Sequence, residues 1–90
     1  MKQYLILVMR TPKFDVGVIA AHHAHLAALK DRGVLEASGP FTDKSGGAYL
    51  IRAASLEDAR VIAFADPVHL TGSSEVTVRE WNVTRVAVEA

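Results

Sequence analysis

The segment Asp15–Gly33, DVGVIAAHHAHLAALKDRG, reads as one amphipathic helix, and it carries His22, His23 and His25. At about 100° per residue, Val18, Ile19, Leu26 and Leu29 form an apolar stripe. His22 falls inside that stripe and His25 on its border, while Gly17, Ala20, Ala21, Ala24, Ala27, Ala28 and Asp31 lie opposite. Asp15 is a ready N-cap, with Phe14 and Ile19 placed for a hydrophobic staple. Gly33 supplies the left-handed residue after the last turn, and Lys30 and Arg32 put positive charge there. An inward-facing imidazole needs a partner, since a buried unpaired polar group costs roughly 1–3 kcal/mol.

The strands are read outward from this helix. Tyr4–Met9 (YLILVM) is apolar on both parities, which predicts a central strand covered on both faces. After the helix, Val34–Ser38 is a short strand stopped by Gly39-Pro40, and Thr42–Gly47 is a turn-rich loop. Ala48–Ala53 is the next strand. Ser55-Leu56-Glu57-Asp58 opens a second helix with a capping box, and Pro67 ends it near Ala65. Val68–Ser74 is a loop holding His69, and Glu75–Val83 is the last strand, which Thr84–Ala90 either extends or follows as a tail.

The order β-α-β-β-α-β predicts an α+β, ferredoxin-like protomer: an antiparallel sheet with both helices on one face. The other sheet face then needs a cover, and the two-sided apolarity of Tyr4–Met9 predicts a homodimer packed sheet against sheet. Residues 1–90 read as a single domain.

Composition removes several function classes. Ten basic and ten acidic residues give zero net charge, so nucleic acid is not the expected partner. There is no cysteine, hence no disulfide, thiol nucleophile or thiolate metal site. No apolar run approaches the roughly 20 residues of a membrane span, and MKQYLILVMR lacks the features of a signal peptide. A cytoplasmic location is expected. The chain has neither GxxxxGK nor GxGxxG, and no cofactor is expected.

Asp66 stands out because a carboxylate ending a helix opposes the macrodipole by roughly 0.3–1 kcal/mol unless something offsets it. One reading pairs it with His25, making a general base near neutral pH. The other has it cap the turn that Pro67 starts. His22 is either a core histidine bonded to a backbone carbonyl or part of the same site, and His23 is a solvated flank residue. Gly39-Pro40 and Gly46-Gly47 either shape a turn only or help Ser38 and nearby backbone N–H groups line a pocket. His22 and His25, with Asp66 or His69, have a spacing permissive for metal but lack the glutamate of HExxH, so no metal site is expected.

Several of these pieces occur together in register: the apolar first strand, His25-Leu26 with Leu29, Ser38-Gly39-Pro40-Phe41, Gly46-Gly47, Ser55-Leu56-Glu57-Asp58-Ala59, Asp66-Pro67, Gly72 and Trp81. In this the chain resembles the YciI-like (YCII-related) family of the dimeric α+β barrel superfamily. The resemblance implies a ferredoxin-like protomer, a dimer, and a histidine and aspartate at the active site, which fall here on His25 and Asp66. It also implies small-molecule chemistry, since relatives include a dehydrochlorinase of a chlorinated hydroxyhydroquinone and, more widely, muconolactone isomerases. Family members often carry arginine three residues before the helix histidine, where this chain has His22. The expectation is therefore an enzyme-like protein using His25 and Asp66 for proton transfer in an elimination or isomerisation, with His22, Ser38, Gly39, Pro40 and His69 as candidate substrate-binding residues. The alternatives are a ligand-binding or assembly module with a structural His–Asp pair, and a metal-binding protein.

Overall fold

Strand β1 (Lys2–Arg10) runs through the middle of a four-stranded antiparallel sheet of order β2-β3-β1-β4, in a computed structural model that describes residues 1–87. Its partners are β3 (Gly46–Ala53) and β4 (Ser74–Glu80), with Ile6 opposite both Tyr49 and Val78. β2 (Leu35–Pro40) forms one edge against β3. Even-numbered residues of β1 face the helices: Tyr4, Ile6 and Val8 are buried there with Tyr49, Ile51, Leu29 and Ala63. The odd-numbered Leu5 and Leu7 point to the other face and are half-buried. The α+β, ferredoxin-like expectation and the central position of β1 both hold.

The first helical segment is two pieces. Val16–Val18 is a 3₁₀ turn, and α1 spans Ile19–Asp31. Asp15 caps the 3₁₀ turn, its Oδ1 accepting from the Gly17 N–H at 2.8 Å. The C-terminal end is a Schellman motif: the Gly33 N–H (φ 72°) donates to Lys30 O at 3.0 Å, and the Val34 N–H to Leu29 O at 2.9 Å. Within the helix, the residues that are not solvent-exposed are Ile19, His22, His25, Leu26 and Leu29, the face expected from the periodicity. α2 spans Leu56–Phe64, capped by Ser55, whose Oγ accepts from the Asp58 N–H at 3.1 Å.

Beyond shifts of a residue or two at strand ends, the structure differs from the expectation at several places. Gly39 and Pro40 continue β2 rather than stopping it, because β2 is an edge strand, where proline's missing N–H costs no ladder bond. Gly46 and Gly47 belong to β3 rather than the preceding loop, and close strand approach requires them. A Cβ on Gly46 would meet Val8 O at 2.0 Å, and one on Gly47 would meet Gly39 O at 2.6 Å. The stretch after α2 holds a short helix, α3 (Pro67–Leu70), since Asp-Pro starts a helix as readily as it ends one. β4 stops at Glu80, though the Trp81 N–H still reaches Gln3 O at 2.9 Å. Residues 84–87 do not extend the strand, and the rest of the expected extension lies outside the described residues.

Candidate active site

Asp66 sits where α2 has ended and α3 begins. Its side chain caps α3, Oδ1 accepting from the Val68 N–H at 3.1 Å. The carboxylate is fully buried, and its other partner is His22 of α1: Nδ1 lies 2.7 Å from Oδ2 and 3.0 Å from Oδ1. The His22 side chain is 20% exposed. With Nδ1–H donated to the carboxylate, the neutral ring carries its lone pair on Nε2, which is the nitrogen left free for chemistry.

The expected His25–Asp66 pair is thus corrected to His22–Asp66. The two histidines are three residues apart, about 4.5 Å along the helix axis. Both face inward, and the height at which α3 meets α1 selects His22. His25 does not line the cavity described below, and its Nε2 is buried without a hydrogen-bond partner among the described residues. His69 is also displaced from its expected role. It is exposed on α3, stacks on Phe64 with ring centroids 4.5 Å apart, and does not line the cavity. Among the described residues no group of three or more His, Asp or Glu side chains is placed to hold a metal ion.

His22 opens onto a cavity of about 290 Å³ between α1 and one end of the sheet. Val8, Phe14, Ile19, Leu26 and Val68 make its apolar walls. Ser38, Gly39 and Pro40 line it from β2, and Gly46 and Gly47 from β3. Among the lining residues that sequence reasoning missed are Arg10, His23 and Tyr49. For Arg10 and Tyr49 the signal was parity, because Val8, Arg10 and Tyr49 all fall on the helix-covered face of the sheet. The Tyr49 ring lies 6.4 Å from that of His22. Its hydroxyl is buried and makes no hydrogen bond among the described residues. Burial, reinforced by the Asp66 charge, pushes its pKa well above the ordinary tyrosine value. Tyr49 therefore stays protonated beside the carboxylate.

This arrangement has the components of a proton-transfer site: an imidazole fixed by a buried carboxylate, at the wall of a small and largely apolar cavity. Similar proteins exist on two levels. The chain is 46% identical over 85 residues to the uncharacterized protein YjpA of Bacillus subtilis (strain 168), covering 94% of this chain and all of that one. In structure it resembles 5-chloro-2-hydroxyhydroquinone dehydrochlorinase (TftG) of Burkholderia phenoliruptrix AC1100, solved in complex with 2,5-dihydroxybenzoquinone. The TM-score is 0.66 at 21% identity, over 89% of this chain and 93% of that one, a likeness of fold. The YCII-related domain matches residues 2–82, nearly the whole chain, and the protein belongs to that family.

Proposed function

We propose that the protein is a small-molecule enzyme in which His22, oriented by Asp66, moves a proton in an elimination or isomerisation. The observation that carries this is the 2.7 Å contact from His22 Nδ1 to a fully buried carboxylate, with the same ring lining the cavity. Nε2 takes a proton from an acidic C–H or O–H of the substrate. The electron pair left behind either expels a leaving group or shifts to a neighbouring carbon. Asp66 stabilises the imidazolium that forms, and Nε2 then returns the proton to the leaving group, to solvent or to the new carbanionic position. A structural neighbour named as a dehydrochlorinase makes elimination the first reaction to test.

The test is chloride release from chlorinated hydroxyhydroquinones, together with isomerisation of unsaturated lactones, by the wild type and by His22→Gln. Turnover by the wild type that falls roughly 10²–10⁴-fold in a folded His22→Gln is expected. Absence of turnover across the set, or turnover indifferent to the change, goes against the proposal. A second reading, a ligand-binding module with a structural pair, is favoured by the bond from the Val68 N–H to the same carboxylate. It expects ligand binding without turnover.

We also propose that a second copy of the chain covers the sheet face opposite the helices. Leu5, Leu7 and Leu50 occupy its centre and Trp81 is 46% exposed at its margin. An apolar patch that meets itself across a two-fold axis needs no other partner.

A further inference from the structure

We propose that the cavity takes a planar, ring-sized anion and that Arg10 is the residue that selects it. The inference rests on the acid–base reading of His22 and names the substrate class for the same site. The charge of the lining is one-sided. Among the described residues Arg10 is its permanent cation, His22, His23 and Tyr49 are its titratable groups, and no aspartate or glutamate lines it. Asp66 stands behind His22, fully buried, and is not part of the wall.

Arg10 is placed for the role by its strand. As an even-numbered residue of β1, opposite Ser74 of β4, it points to the helix-covered face where that face opens into the cavity. Its guanidinium carbon lies 4.1 Å from the centroid of the Phe14 ring, which also lines the cavity. That stacking holds the guanidinium plane against an apolar surface and leaves its N–H edge free. No carboxylate among the described residues pairs with it, whereas Arg52 and Arg85 both contact Glu36 and Lys2 contacts Glu80. A cation stacked at the cavity with its donors unused suits two oxygens of a carboxylate or a delocalised phenolate, and the planar fork favours bidentate contact. The cavity volume of about 290 Å³ accommodates a single ring. Arg10 and His22 line the same cavity, so a ring held at Arg10 shares it with the His22 imidazole.

The measurement is a pair of NMR titrations with benzoate and benzamide, which match in size and shape and differ in charge. Wild type and Arg10→Gln are both titrated and followed at the Gly46, Gly47 and Ala48 amides. Benzoate is expected to bind the wild type about tenfold more tightly than benzamide, as for a hydrogen bond to a charged group. In Arg10→Gln the two affinities should converge while the spectrum elsewhere is unchanged. Equal affinities in the wild type, binding of neither probe, or a preference that survives Arg10→Gln overturns the inference. The result is separable from the proposed activity. An Arg10-dependent anion preference in a protein without turnover leaves this inference standing and removes the catalytic one. Turnover that depends on His22, with no anion preference, does the reverse.

Discussion

At the residue scale the decisive side chains are His22, His25 and Asp66. The sequence made all three visible: two histidines on the inward half of a helix, and a carboxylate at a helix end with no evident offset. Periodicity assigns a direction around the helix axis but not the height at which a second helix arrives, and about 4.5 Å along the axis separates the two candidate rings. The resemblance pointed to His25, whereas His22 is the residue that holds Asp66. Asp66 does two jobs, so its substitutions should separate them. Asp66→Ala removes the α3 cap and strands His22, and is expected to cost roughly 2–3 kcal/mol in urea unfolding. Asp66→Asn keeps a cap-competent side chain and should cost clearly less, while still removing the charge that stabilises an imidazolium at His22.

At the element scale the helix ends were the most legible features, because caps are local chemistry. Asp15, Ser55 and Gly33 act where the sequence placed them. Strand ends were less legible, because they depend on neighbours across the sheet. Pro40 looks like a terminator until β2 is known to be an edge, and Gly46 looks like a turn residue until Val8 is seen against it. Gly46→Ala must therefore push β1 and β3 apart. A loss of more than about 1 kcal/mol is expected by thermal melting, well beyond an ordinary glycine substitution. Across β1, β2 and β3, Glu36 accepts from Gln3 Nε2 at 2.6 Å and Arg52 Nε at 2.9 Å, with Arg85 Nη2 at 3.6 Å. The Gln3 bond is the largest of the influences that hold its carboxyl below the ordinary glutamate value, against the opposing effect of burial. A carboxyl depressed in the folded state stabilises above the unfolded value and loses that contribution as pH falls through the folded one. Glu36→Gln should thus be less stable than wild type near neutral pH, with the two melting curves converging in acid.

At the scale of the whole molecule, the order of elements and the two-sided apolarity of β1 carried the fold. Tyr49 was missed as a cavity residue because its face follows from the register of β3 against β1, and Arg10 because the apolar run Tyr4–Met9 ends one residue before it although it keeps the parity of Tyr4, Ile6 and Val8. The sheet face away from the helices makes the proposed dimer a question of mass. Light scattering at micromolar concentration should give twice the 9.7 kDa chain mass, and Leu7→Glu should return it to the monomer. A monomeric wild type would remove the proposed cover from that face. No described helix is long and apolar enough to cross a membrane.

The most direct test of the central claim, that Asp66 fixes the His22 ring with Nε2 free, is long-range ¹H–¹⁵N NMR of the imidazoles at a pH where the rings are neutral. Assignment would come from single His→Gln changes. The expected result is the Nδ1–H tautomer for His22, with the bare-nitrogen shift on Nε2, and loss of that signature in Asp66→Asn. An Nε2–H tautomer for His22, or an Asp66-dependent signature on His25 instead, would contradict it.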